Sequence, residues 1–150
     1  IPKGDVQGMS AGKGVVHSEF NHAEGQQTHF LQIWVEPDIR GIEPSYEQKT
    51  FATPDKEGTL KLIVSSDGDA ESVKINADIR LYAGLFNDNQ HASLVIDPRR
   101  KAYVHVIRGS ITVNEIVLNS GDGLMMSEER QVILSDGQTA EVLVFDLKAD

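Results

Sequence analysis

Apolar residues recur at every second position along much of this chain. The runs "FLQIWVE" (30–36), "LKLIVS" (60–65), "IRLYAGLF" (79–86), "ASLVID" (92–97), "AYVHVIRG" (102–109), "SITVNEIVL" (110–118), "RQVILS" (130–135) and "EVLVFDL" (141–147) are rich in β-branched residues. Gly, Asp, Asn or Pro bound each run, which is the signature of strands separated by turns. In the last run Val142 and Val144 face one way, and Leu143, Phe145 and Leu147 the other. A hairpin between 102–109 and 110–118 is expected to turn at Gly109-Ser110. No stretch after residue 20 carries a long helical period, and "PSYEQKTF" (44–51) supports at most one helical turn. Many short strands with turn signals between them predict an all-β sandwich or barrel.

One layout occurs twice. "KGDVQGMSAGKGVVHSEF" (3–20) and "SGDGLMMSEERQVILSDG" (120–137) each run from a Gly-Asp turn through a Met-Ser pair into an apolar run. Two strong strands precede the second copy, whereas only Ile1 and Pro2 precede the first. The expectation is one complete β-unit over 58–150, behind the closing half of a second unit and a linker over 1–57.

Composition narrows the chemistry. The chain has no cysteine, so disulfides and thiolate metal sites are excluded and any metal must use His, Asp or Glu. Its formal net charge of −9 argues against nucleic-acid binding, which needs clustered Lys and Arg. The one basic cluster, "DPRRK" (97–101), reads as a solvated turn. No apolar run approaches the length of a membrane span and no leader is visible, so the cytoplasm is the expected location.

The candidate site lies in the first copy of the layout. On a strand, residues two apart project from one face, so His17 and Glu19 of "VVHSE" would point together with Ser18 turned away. An imidazole nitrogen with a carboxylate oxygen suits Fe(II), Mn(II), Ni(II), Cu(II) or Zn(II). His22 and His29 in "NHAEGQQTHF" are near enough in sequence to act as substitute ligands, although solvated loop histidines explain them as well. A polar pair on an exposed strand explains His17 and Glu19 equally cheaply. "GMSAGKG" (8–14) is one residue short of a phosphate loop and runs into a strand, so its glycines are expected to shape a tight loop. Ser10 or Ser18 with His17 offers no triad geometry. Lys13 and Ser10 could line a pocket mouth, with a turn role as the alternative. His91 is expected in a turn and His105 on a strand face with Tyr103 and Ile107. Trp34, sharing a face with Gln32 and opposed to Ile33, is expected in a buried or interfacial strand. Met125 and Met126 are expected to fill core gaps.

"GMSAGKGVVHSEFN", followed by "LQIWVEPDIRGIEPSYEQKTF" and extending through "GDGLMMSE" to "VLVFDL", resembles the pirin family of two-domain cupins, which includes pirin-like quercetin dioxygenases. The resemblance implies jelly-roll β-barrels with one metal in the first barrel, held by three His and one Glu. Two of these ligands fall on His17 and Glu19, with Glu19 also able to accept a proton from a flavonol-like substrate. The other two come from a His-x-His motif that occurs nowhere in this sequence. The resemblance therefore implies a complete C-terminal barrel without metal, behind the closing half of a metal barrel. It leaves open whether the chain is an enzyme. The expectations are a cupin without catalysis of its own, a metal-dependent quercetin dioxygenase if another chain completes the site, or a protein-binding regulatory module. A homodimer, or a second chain carrying the missing half, is the expected partner.

Overall fold

A computed structural model describes residues 2–22 and 24–149. It is nearly all β, as the alternation predicts. Strands β1 (Asp5–Ser10) and β2 (Ser45–Thr50) form a two-stranded antiparallel sheet. The remaining strands are β3 (Lys61–Ser65), β4 (Val73–Lys74), β5 (Ile79–Phe86), β6 (Ala92–Val95), β7 (Arg100–Val113), β8 (Ile116–Asn119), β9 (Gly123–Ser127) and β10 (Gln131–Lys148). Six of these run in the order β4-β3-β5-β10-β7-β8, with β6 pairing β10 and β9 pairing β7.

β7 and β10 organise this sheet because each is long enough to serve two sets of partners. The N-terminal part of β7 pairs β9 and its C-terminal part pairs β8, while β10 pairs β6 early and β5 late. Alternation along both sorts the core into two layers. Ala102, Val104, Val106, Val132, Leu134, Val142 and Val144 fill the barrel interior around Phe86, each nearly or fully buried. Leu143 and Phe145 point outward and pack with Phe51, Ile63, Val73, Ile79 and Leu81. Burial of both faces is what makes these strands read as strong apolar runs.

The structure corrects several expectations. The 102–109 and 110–118 runs do not form a hairpin at Gly109-Ser110, because β7 passes through both. The turn lies at Asn114-Glu115, where both residues have positive φ (44° and 70°) and Val113 pairs with Ile116. Asn114 secures it, its Oδ1 accepting from the Ile133 N–H at 2.7 Å and its amide donating to the Gln131 carbonyl at 2.9 Å. Residues 45–50 form β2 and not a helical turn; the 3-10 turns lie at Thr53–Asp55 and Asp69–Glu71. Met126 is core, whereas Met125 is 56% exposed on the opposite face of β9. Arg99 of the basic cluster is solvated, but Arg100 is a structural tie: it donates to Asp146 at 2.5 Å and to Asp78 at 2.9 Å.

The largest correction concerns 30–36, which is not a strand. The described residues of 11–44 contain no strand at all. Val16 is 103%, Phe20 75% and Trp34 89% exposed. β-propensity expresses itself only against a neighbouring strand, and among the described residues no strand pairs with 30–36. Without a ladder, in-and-out alternation fails, so Gln32 and Ile33 line the same groove.

Acid sensitivity follows from surface carboxylates tied by hydrogen bonds. The Arg99 side chain, with its backbone N–H, holds Asp97 well below the usual 3.8. The Ser65 hydroxyl, the Asp69 N–H and Arg80 lower Asp67. A carboxylate lowered on folding contributes its stability above its unfolded value and loses it as pH falls through the folded one. The melting temperature should therefore decline below about pH 4, and Asp97→Asn should make that decline shallower in a series of thermal melts. An unchanged slope would count against this assignment.

Candidate metal half-site

The site begins at the glycine loop after β1. Gly12 has φ +53°, and a Cβ there would lie 2.1 Å from the Ile42 carbonyl oxygen, so only glycine lets this loop close against residue 42. That is the tight loop expected of these glycines. Lys13 forms an ion pair with Glu43, and Ser10 Oγ accepts from the Asn76 amide at 3.2 Å. Gly8 and Ser10 line a cleft of about 260 Å³ with Ser45, Tyr46, Glu47, Lys74 and Asn76, so Ser10 does border a pocket, whereas Lys13 is not among its lining residues.

Beyond the loop the chain runs exposed through His17, Glu19 and His22 to His29. Among the described residues, no three His, Asp or Glu side chains group to hold an ion. The four candidates are thus not gathered into one site. His22 makes a tilted ring contact with Phe20 at 6.4 Å, and His29 Nδ1 lies 3.4 Å from Arg108 Nη2. Two donors of suitable type at i, i+2 remain, which is half of a coordination shell and fixes no geometry.

Leu31, Gln32 and Ile33 lie over the outer face of the barrel and enclose a groove with Tyr103, His105, Leu143 and Phe145. Tyr103 stacks on His105 at 6.5 Å and meets Phe145 at 5.6 Å. His105 is therefore a half-buried strand residue beside Tyr103, and an isolated one.

The duplicated layout can now be compared in three dimensions. β1 ends on Met9-Ser10 and β9 on Met126-Ser127, five residues after each glycine of the Gly-Asp pair. Carrying the match forward places Val15 on Val132, Val16 on Ile133, His17 on Leu134 and Glu19 on Asp136. Val132 and Leu134 are fully buried inside the barrel, while Ile133 is 48% exposed. His17 thus occupies the place that in the second copy points into a barrel.

Residues 62–147 match the family described as "Quercetinase C-terminal cupin domain", and residues 1–35 match "Pirin". The chain belongs to the pirin family of cupins. The quercetin 2,3-dioxygenase of Escherichia coli (strain K12) is 33% identical over 147 residues, 98% of this chain and 62% of that relative. The crystal structure of YhhW from Escherichia coli superposes with a TM-score of 0.92 at 32% identity, covering 100% of this chain and 63% of the other. A second structure, bacterial pirin YhhW in complex with nickel(II), gives 0.91 at 33% identity and covers 64% of that chain. This pirin-family chain therefore spans less than two thirds of the length of the relatives it matches. No helix among its described residues is long and apolar enough to cross a membrane.

Proposed function

We propose that this chain works in the cytoplasm as part of a pirin-type cupin, in which His17 and Glu19 are two of the ligands of a divalent transition metal. In this reading residues 1–57 belong to the metal barrel and 58–150 form a barrel that supports it without binding metal. One observation carries the proposal: His17 matches Leu134, a fully buried barrel-interior residue of the second copy. Leu134 explains why the second barrel needs no ion, and His17 explains where the first would hold one. Two donors bind weakly, since an open half-site is neither pre-organised nor shielded from water. Residues 1–150 by themselves therefore have no flavonol-oxidising activity. The relatives named as quercetin 2,3-dioxygenases and the nickel(II) complex support a flavonol substrate and a metal such as nickel once further ligands are supplied.

A protein-binding module is the second reading, favoured by the exposed Val16, Phe20, Phe30 and Trp34. Equilibrium dialysis against nickel(II), with quercetin consumption measured in parallel, separates the two. The expected result is no turnover by residues 1–150. Tight binding and turnover should follow when a polypeptide carrying strands with a His-x-His motif is added, and Glu19→Gln should lose both. Turnover by the chain alone overturns the proposal, as does a failure of the added polypeptide to raise nickel affinity.

A further inference from the structure

Val95, Ile133 and Val117 are 79%, 48% and 65% exposed, and they share one face of the C-terminal barrel. The first part of β10 pairs with β6 on one side and with the end of β7 on the other, and β7 in turn pairs with β8. Leu94, Val132, Leu134, Val113 and Leu118 turn from these four strands into the barrel. The alternate positions turn outward: Ser93 and Val95 on β6, Gln131, Ile133 and Ser135 on β10, Thr112 on β7 and Val117 on β8. None of them carries a charge, in a chain of which 25% of residues do. Every strand of this face lies within residues 62–147, the stretch matched by the C-terminal cupin domain. Val6 of β1 and residues 31–33 pack elsewhere, on the later half of β10 around Leu143 and Phe145. The bare face thus owes nothing to the unpaired stretch over 11–44.

We propose that this face is where two copies of the chain meet, sheet on sheet, about a two-fold axis through the Ser135–Thr112 pair. Charge selects that partner. Interface cores are depleted of charged residues, because a charge buried without its counter-ion is costly. A partner with charged groups at the centre would bury them against Ser, Thr, Val and Ile. The partner must therefore offer an uncharged surface, and a second copy does. Each copy has a formal net charge of −9, so two copies repel across their acidic surfaces and least across this one. Shape agrees with charge. Ser135 and Thr112, opposed across β10 and β7, make a low centre, with Ile133 and Val95 standing on one side of it and Val117 on the other. A two-fold axis through that centre opposes small residues to small and apolar side chains to apolar. At strand spacings of about 4.8 Å and about 3.4 Å per residue, the face spans only a few hundred Å². A standard interface takes about 800 Å² from each partner, so the dimer is weak and forms and dissociates with concentration. Neither His17 nor Glu19 takes part in it.

Sedimentation velocity across a concentration series tests this. The intact chain should pass from monomer to dimer as concentration rises. Added NaCl should strengthen the dimer, since screening relieves the repulsion and no ion pair crosses the face. Thr112→Lys and Thr112→Glu, each at the centre, should weaken it at least about tenfold, and an equimolar mixture of the two should restore it. Restoration also shows that both variants are folded. Gln131→Lys, on the exposed margin, should weaken the dimer as well and takes their place if either misfolds. Phe20→Ser combined with Trp34→Ser removes apolar groups exposed on 11–44 and should leave the dimer intact. A monomer at every concentration overturns the proposal. So does a dimer that survives Thr112→Lys, weakens with salt, or is lost in Phe20→Ser with Trp34→Ser. A mixture that stays monomeric, while each variant keeps the circular dichroism of the unaltered chain, overturns it too.

Discussion

Phe86→Ala should cost roughly 3–5 kcal/mol, enough to unfold much of a domain whose net stability is on the order of 5–15 kcal/mol. Phe86 ends β5 and is fully buried among the barrel-interior residues. Its ring occupies space that two glycines leave open. A Cβ on Gly84 would lie 2.5 Å from the ring, and one on Gly137 would lie 2.7 Å from the Phe86 Cβ. Neither neighbour has a side chain that could swing into the vacated volume, so truncation leaves a cavity instead of a rearranged core. Sites that cannot collapse sit at the upper end of the large-to-small range. Phe86→Leu, which keeps much of the volume, should cost less. Urea unfolding monitored by circular dichroism gives both values. A loss below about 1.5 kcal/mol for Phe86→Ala would mean the barrel repacks there, contrary to the glycine geometry.

What could be read from sequence divides along the same physical line as what is packed. Residues 60–147 were legible because β3 and the end of β10 bury both faces and read as continuous apolar runs, while β5 and β7 bury every second residue over most of their length and read as alternation. β1 and β2 were not, since "SYEQKT" carries one large apolar side chain and its residues are at most half buried. The continuity of β7 through Gly109 escaped because it depends on β10, a partner distant in sequence. Residues 30–36 failed in the opposite direction. Their pattern is that of a strand, yet a strand exists only with a neighbour, and the described residues provide none. The candidate site shows the same limit. The His17-x-Glu19 spacing was legible from sequence, and so was the repeat, but only the buried Leu134 gives that repeat an inside. The spread of His22 and His29 along an unpaired segment could not be read from spacing at all.

Gly109→Ala should be among the most damaging single-methyl substitutions in the barrel. Gly109 sits where β7 and β10 fall out of step: Arg108 pairs with Glu141 and Ser110 with Gln138, so three residues of β10 span two of β7. The extra residue makes a bulge that bends the pair and lets β7 leave β9 and join β8. Gly109 meets it with φ +70°, and a Cβ there would lie 2.2 Å from the Gln138 carbonyl oxygen and 2.4 Å from that of Thr139. Both obstacles are backbone. They are also held in place, since the Thr139 N–H donates to Asn87 Oδ1 at 2.9 Å and the Gly137 carbonyl accepts from the Asp88 N–H at 2.8 Å. Left-handed backbone costs a residue with a Cβ about 1–2 kcal/mol, and shifting packed neighbours adds about 1–3 kcal/mol. Gly121→Ala separates the two, because Gly121 has φ +90° but nothing within 4 Å of its Cβ position. It should show the backbone cost alone, and Gly109→Ala should exceed it by the steric cost when urea midpoints are compared. Equal losses would mean that β10 yields at the bulge, and that the corner of the barrel is set by conformational preference and not by the contact of two backbones.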